Sequence, residues 1–355
     1  MAFAGFANAA TIYKEEAAEI TGNSENYNPG DQERVLGGIF LGEGGDATKA
    51  EKQVNSNIKI SGGDFNYVVG GHYVSGYTDE VKLNVNSTSI EIDGADTKVY
   101  FLAAGTASNN AQLSNASKQA SLTIHNGTFG TEQLKTNVLE NMVLGGDLVK
   151  GGDWSDTRLA STSIEKVNVS IDGGTFNLPI IAGGVAIGHN TESTVGTSKL
   201  FISGANGKLT INENIYAGGL MADLQDKDRI ATVEKAVIDI ENATVKGVYG
   251  TAAEAKLVDD GNSTWHFEFS PIQNDGVVST VLSLTNVTAD TVNVPTGSIK
   301  LRAEGADGHV EIKNFDVTTN TKDVALTADG AANDAAGGDV DKLFSIQKKR
   351  RRCAI

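Results

Sequence analysis

Four aspartates lie next to glycine-rich turns, and their carboxylates are the first candidates for chemistry in this chain. They are Asp64, Asp147, Asp153 and Asp172. Carboxylates gathered on neighbouring turns can act as general acid and base on a glycoside, or they can hold calcium. A polysaccharide lyase or a glycoside hydrolase is therefore one function that the sequence permits. We favour turn formation for these residues, because aspartate side chains commonly accept hydrogen bonds from the backbone of a turn.

The remaining reactive side chains form no recognisable motif. The five histidines, which lack the H-x-x-x-H spacing of a zinc site, are His72, His125, His189, His266 and His309. His72 and His189 follow glycine doublets, so we expect them on one ridge, as a solvated face. Trp154, beside Asp153, is the best candidate for an aromatic that contacts a sugar; packing against the fold is the alternative. We predict no catalytic, cofactor-binding or metal-binding residues and no cofactor.

A glycine doublet that closes a short apolar segment recurs along the chain and indicates a repeat. The copies end at Gly38, Gly71, Gly105, Gly146, Gly184, Gly219 and Gly250, of which Gly105 and Gly250 belong to worn doublets. Successive copies lie roughly 31 to 41 residues apart, as expected for one supersecondary unit stacked many times. The sequence therefore predicts an elongated array that grows by adding neighbouring units.

Within each unit the apolar residues alternate as they do in a β-strand. The clearest copy begins at Ile58-Lys59-Ile60 and ends at Gly71, and the segment from Val169 to Gly184 repeats it closely. Alternation sends every second side chain into an interior, while the glycine doublet permits a sharp corner or a close approach of the next unit. The variable spacing favours an all-β, right-handed parallel β-helix. A β-propeller is the alternative, although its blades repeat at about 40 to 50 residues.

The charge balance argues against nucleic acid as a partner. The chain has 45 acidic and 29 basic residues and a net charge of −16, and five of the basic residues lie in the run from Lys348 to Arg352. Such an acidic body repels phosphate backbones. The single cysteine, Cys353, excludes an internal disulfide.

The organisation along the chain follows from these patterns. Ala7-Asn8-Ala9 matches an A-x-A cleavage site, so residues 1–10 are predicted to be the remnant of a signal peptide. Residues 11–34 are expected to form a lead-in that caps the open end of the array. The β-helix repeat domain is predicted at 35–326, and residues 327–355 are predicted to be a flexible linker and a basic tail.

The units I-x-I-x-G-G-x-F followed by V-x-G-G, as between Ile58 and Gly71, resemble the passenger repeats of bacterial autotransporters and related β-helical adhesin-like surface proteins. The resemblance covers residues 35–326 and includes the signal-like Ala7-Asn8-Ala9. It implies export to the surface of a Gram-negative bacterium through an outer-membrane barrel. Because no barrel-like series of strands follows Asp341, the resemblance implies a passenger region without its translocator.

These observations lead to a predicted function. We expect a non-enzymatic extracellular protein, secreted or associated with the outer membrane, that acts as an adhesin or surface spacer. Its partners would be glycans or proteins of a host surface or matrix, or other bacterial cells. A carbohydrate-active enzyme on a β-helix and a β-propeller interaction domain are the alternatives. The basic tail fits none of these roles, and we interpret it as an artificial end of the reading frame near Gln347.

Overall fold

The structure is a computed structural model that describes residues 11–13, 18–20, 34–42, 45–76, 80–130, 142–151, 159–222, 229–259, 265–272, 277–317, 321–328 and 344–348. These residues form mainly β-strands, with one single-turn 3-10 helix at Ala47–Lys49. The strands pair in three long sheets, named A, B and C below, and all pairs but one are parallel among the described residues. This order confirms the predicted parallel β-helix, and the sheets do not divide into propeller blades.

Sheet B has the longest strands and forms one wall of the main interior. Its strands alternate buried and exposed side chains, as in Val54–Ile60. A common register stacks Ile60, Ile92, Ile124 and Ile171 in one buried column. Across the sheet the strands are β2 (Ala18–Ile20), β5 (Val54–Ile60), β9 (Val85–Ile92), β12 (Leu113–Ile124), β16 (Ala160–Ile171), β20 (Thr191–Ser203), β24 (Arg229–Glu241), β28 (Val277–Thr285), β30 (Gly297–Ala303) and β32 (Thr321–Ala328), with β8 (Val81–Lys82) also beside β12.

Sheet A forms the facing wall and follows sheet B in each turn of the chain. Its main path contains β1 (Thr11–Tyr13), β3 (Arg34–Leu36), β6 (Asp64–Val69), β10 (Lys98–Ala103), β14 (Val143–Leu144), β18 (Ile180–Ile181), β22 (Ile215–Tyr216), β25 (Thr244–Tyr249), β29 (Thr288–Val294), β31 (Val310–Val317) and β33 (Phe344–Lys348). The short strands β13 (Thr128–Phe129), β17 (Gly174–Phe176) and β21 (Leu209–Ile211) extend from β10 as a second path.

Sheet C is the third side of the solenoid and stops before the others. Its strands are β4 (Phe40–Leu41), β7 (Tyr73–Ser75), β11 (Ala107–Asn109), β15 (Leu148–Lys150), β19 (Val185–Ile187), β23 (Leu220–Ala222), β26 (Ala253–Asp259) and β27 (Trp265–Pro271). The antiparallel hairpin of β26 and β27 ends this sheet. Beyond it, β29 leads directly into β30 of sheet B, so these coils have two sides instead of three.

Two hydrophobic cores use opposite faces of sheet A. Val68 belongs to the main core between sheets A and B, whereas Val69 belongs to a second core against sheet C. Adjacent residues of a strand point to opposite faces, which explains the unbroken apolar run before each corner. In the main core the rings of Phe129 and Phe176 stack between adjacent coils with centroids 4.6 Å apart.

A buried arginine, which the sequence pattern did not reveal, begins strand β3 and packs beside the second core. Arg34 is only 2% exposed. Its guanidinium lies over the rings of Phe40, Tyr67 and Tyr73, at 5.0, 5.7 and 5.4 Å from their centroids. The negative faces of the rings stabilise the cation by cation–π interaction.

The glycine doublets lie at the corners between sheets A and C, as expected. The register shows that one glycine per corner is constant, namely Gly38, Gly71, Gly105, Gly146, Gly183 and Gly218, which form a continuous hydrogen-bonded column. The other glycine of each doublet changes its side of this column along the chain. In early coils it precedes the column glycine, as Gly37 and Gly70 do. In later coils it follows the column glycine, as Gly184 and Gly219 do. The final glycine of each copy, which marks the repeat in the sequence, is therefore not one structural position.

Interior hydroxyl groups bind carbonyl oxygens at these corners. Thr88 of β9 donates to the Ala104 carbonyl at 2.6 Å, Ser198 of β20 donates to Ala182 at 2.7 Å, and Thr280 of β28 donates to Gly250 at 3.0 Å. All three side chains are buried. Each hydroxyl thus satisfies a carbonyl group that turns into the core where the chain leaves sheet A.

We expect Thr88→Val to destabilise the fold by about 1 to 3 kcal/mol, because it leaves the buried Ala104 carbonyl without its donor. Thr123→Val, at a half-buried outward position of the same sheet, is the matched control and should change stability by less than about 0.5 kcal/mol. Denaturant unfolding of both variants measures the difference. Equal shifts would contradict a role for the hydroxyl.

The sheets extend beyond the predicted repeat domain at both ends. β1 and β2 lie in the lead-in at 11–34, where they pair with β3 and β5. β33 lies within segment 327–355 and pairs with β31. The described residues contain no helix that is long and apolar enough to span a membrane.

Candidate functional site

The structure separates the aspartates that the sequence suggested as an acid–base group. Asp64 begins β6 and is partly exposed, Asp147 is buried at a corner between sheets A and C, and Asp172 follows β16 at a corner between sheets B and A. Asp147 lies at another corner, and Asp64 and Asp172 flank the same corner three coils apart, so the three carboxylates do not form one site. Asp153 and Trp154 lie outside the described residues.

Asp172 instead pairs with a histidine. Its Oδ1 lies 2.8 Å from Nδ1 of His125, in the preceding coil, and both side chains are about two-fifths exposed. Ser203 occupies the corresponding position in the next coil, but its hydroxyl donates to Glu241 at 2.8 Å. The carboxylate thus holds the imidazole, and the neighbouring hydroxyl is bound away from it.

Three polar side chains form a buried column directly after the corner glycines. His72, Thr106 and Asp147 follow one another in successive coils, and each is about 1% exposed. A Cβ added to Gly38 would lie 2.5 Å from Nδ1 of His72, and one added to Gly71 would lie 2.5 Å from the Thr106 hydroxyl. The constant glycine of each corner therefore makes room for the polar side chain of the next coil.

Burial dominates the electrostatics of this column. Nδ1 of His72 accepts a hydrogen bond from the Ile39 N–H at 3.0 Å, and burial lowers the pKa of His72 to about 4. Oδ1 of Asp147 accepts from the Thr106 N–H at 2.5 Å, and burial raises the pKa of the Asp147 carboxyl to about 6. Because neither side chain reaches solvent, neither is placed to act on an external substrate.

The expected ridge shared by His72 and His189 is not formed. His72 lies at a corner between sheets A and C, whereas His189 follows β19 on the way from sheet C to sheet B. His72 directly follows its column glycine, Gly71, whereas His189 lies six residues after the column glycine Gly183, so the two histidines reach different parts of the coil. Among the described residues, no three His, Cys, Asp or Glu side chains are grouped so that they could hold a metal ion.

Protein-family models, curated proteins and solved structures give no match to this chain. The candidate site therefore rests on the geometry of the chain alone.

The outer face of sheet B carries an apolar patch that the sequence analysis missed. We call Phe201, Val237 and Val281 the sheet B patch. Phe201 and Val281 are each 38% exposed, and Val237 is partly exposed. Val237 pairs directly with Val281 on one side and with Lys199 on the other. The three apolar side chains thus lie on three adjacent strands, β20, β24 and β28.

Lysines surround the sheet B patch. Lys199, Lys235 and Lys300 are exposed on β20, β24 and β30. Phe201, Asp239, Ser283 and Lys300 form one row across four adjacent strands of sheet B. Lys300 thus lies in the same row as the aromatic ring. Desolvation and the nearby Glu241 raise the pKa of Asp239. An apolar surface with exposed lysines, and with Asp239 and Glu241 beside it, therefore lies on a protein whose net charge is −16.

A sequence signal for the sheet B patch does exist. On sheet B the outward positions are mostly Ser, Thr, Asn, Lys or Glu, so an apolar residue there breaks the alternation. Leu200-Phe201-Ile202 and Val281-Leu282 are such breaks. In an array, a run of this kind is easily assigned to the core, because the fully buried segments before the glycine corners look the same.

Proposed function

We propose that this chain is a non-enzymatic extracellular surface protein, comparable to an autotransporter passenger, that acts as an adhesin or surface spacer. The observation that carries the proposal is the in-register stacking of sheet B. Equivalent side chains from successive coils recur at about 4.8 Å along one continuous outer face. Such a face suits binding by many weak contacts, whose combined strength exceeds that of any single contact.

The sheet B patch is the contact surface that we assign to this function. An aromatic ring offers a flat apolar face for a sugar ring, and lysine ammonium groups bind carboxylate or sulfate. The combination of Phe201 with Lys199 and Lys300 fits an acidic glycan better than a neutral one. The separation of Asp64, Asp147 and Asp172 supports binding rather than glycoside cleavage as the activity.

Binding of fluorescent heparin and polygalacturonate by the full chain tests the proposal, with neutral dextran as the comparison. We expect binding to an acidic polysaccharide that weakens with salt, because exposed charges are screened. The double variant Phe201→Ser, Lys199→Ser should weaken it on the order of ten-fold.

Ile230→Ser provides the matched control, since Ile230 is 46% exposed on β24 but lies away from the sheet B patch. It should bind as the unchanged protein does. Absence of binding to both acidic polysaccharides, or equal binding by the double variant, would reject the assignment of this surface.

A further inference from the structure

The sequence contains two Asn-Gly pairs, Asn126-Gly127 and Asn206-Gly207, and the fold treats them differently. Both lie in turns that lead from sheet B to sheet A, between β12 and β13 and between β20 and β21. Both glycines adopt positive φ, 116° at Gly127 and 70° at Gly207. The two sites are therefore a matched pair in sequence and in place.

The backbone nitrogen of Gly127 faces the side chain that precedes it. Its N–H donates to Oδ1 of Asn126 at 3.0 Å. Gly127 takes part in the backbone ladder through its carbonyl, which accepts from Thr175. This hydrogen bond places the Gly127 nitrogen beside the Asn126 amide and polarises the carbonyl whose carbon the nitrogen can attack.

At the second site the same nitrogen is engaged elsewhere. The Gly207 N–H donates to the Gly204 carbonyl at 3.0 Å, and Oδ1 of Asn206 accepts from the Lys208 N–H at 2.9 Å. The Gly207 N–H and the Asn206 Oδ1 are thus hydrogen-bonded to other partners and not to each other. Attack at this site requires the turn to open first.

We propose that Asn126 is a site of intramolecular deamidation that the native fold promotes. The Gly127 nitrogen forms a bond to Cγ of Asn126, its proton passes to solvent base, and the side-chain nitrogen takes up a proton and leaves as ammonia. Water then opens the five-membered imide at one of its two carbonyls. The products are an aspartyl or an isoaspartyl residue at position 126, with one water consumed and one ammonia released.

The modification would act on a tightly packed corner. A Cβ on Gly173 of the next coil would overlap the carbonyl oxygen of His125, so the backbones of these coils leave no free space there. An isoaspartyl linkage would add one atom to the main chain between β12 and β13, where the next coil leaves no room for it. Either product adds a negative charge one residue from the His125–Asp172 pair. The corner thus changes irreversibly with the age of the protein.

The test is incubation of the full chain at neutral pH, followed by peptide mass spectrometry at both sites. We expect Asn126 to convert on the order of ten-fold faster than Asn206 in the folded protein. In urea the two sites should convert at similar rates, because the dipeptides are the same once the turns are lost. Hydroxylamine, which cleaves the imide, should split the folded chain between residues 126 and 127.

Asn126→Gln is the variant that removes the reactive group, and it should abolish the hydroxylamine cleavage. Asn206→Gln is its matched control and should leave the cleavage unchanged. Conversion of Asn206 as fast as Asn126 in the folded state would overturn the proposal. So would an unreacted Asn126 in the folded protein when the same residue reacts in urea.

Discussion

Replacing Gly70 by alanine should destabilise the solenoid by about 4 kcal/mol or more, one of the largest effects expected of a single methyl group in this chain. A Cβ at this position would overlap the backbone carbonyl oxygen of Ala104 and lie 2.9 Å from Cβ of Thr88. The contact is with backbone of the next coil, so no side-chain rotation can relieve it. The Gly70 N–H bond to Ala103, at 3.0 Å, would be strained at the same time.

Gly250→Ala is the matched control, because Gly250 occupies the same position of the last three-sided coil. There the nearest atoms to an added Cβ are side-chain atoms of Val294 and Thr280 and the Cα of Val294, at 3.1 to 3.2 Å, so a shift of a few tenths of an ångström relieves the contact. We expect a change of about 1 kcal/mol or less. Hydrogen exchange in β3, β6 and β10 measures the effect of Gly70→Ala locally. Protection equal to that of the unchanged protein would refute the steric argument.

The second large effect concerns pH, and it arises from the buried column of His72 and Asp147. The carboxyl of Asp147 has a pKa of about 6 in the folded state against an ordinary value of 3.8. The folded state therefore holds its proton more tightly, and stability falls as the pH rises from about 4 to 6. Above that range the buried charge costs about 3 kcal/mol.

His72 gives the opposite slope. Its pKa is about 4 in the folded state against an ordinary value of 6.5, so the unfolded chain takes up the proton first as the pH falls. Stability is therefore lost as the pH falls from about 6.5 to 4. The two contributions nearly cancel between pH 4 and 6, and the unchanged protein should show little net dependence from this column.

Asp147→Asn should uncover the contribution of His72. We expect the variant to match the unchanged protein near pH 4 and to exceed its stability by about 2 to 3 kcal/mol at pH 7, since the amide can still accept from Thr106 without a buried charge. Denaturant unfolding across this pH range measures the difference. A stability difference that does not vary with pH would contradict the assignment.

Two further variants separate the column from the general charge of the protein. His72→Gln removes the histidine term, so its stability should decline from pH 4 to 6 relative to the unchanged protein. Asp96→Asn, at an exposed turn, neutralises a carboxylate without touching the column. Its curve should run parallel to that of the unchanged protein.

The sequence predicted the repeat and the parallel β-helix because both depend on local signals. Alternation at Ile58-Lys59-Ile60 fixes which side chains point inward, and regular glycines fix where the chain turns. The sequence could not predict which neighbours meet across coils. The register that places Asp147 over Gly105, and Phe201 beside Asp239, is set by the accumulated loop lengths between strands.

The same reasoning explains the errors at the candidate site. Asp64, Asp147 and Asp172 look equivalent in sequence, since each lies near glycine, but Asp147 lies at another corner and the other two lie three coils apart. His189 lies six residues beyond the column glycine of its coil, whereas His72 directly follows its own. The amino-acid sequence also contains little indication that sheet C ends at β27, because two-sided coils use the same alternating strands as three-sided ones.

The coils after β27 have two sides instead of three, so the two ends of the array differ in how much core they contain. Each coil is stabilised mainly by its two neighbours, so stability is distributed along the stack rather than shared by all of it. The two-sided coils of β28 to β33 lack the core that sheet C supplies to the others. Under pulling force or mild denaturant the solenoid should unravel from this end, while the coils before β26 stay wound.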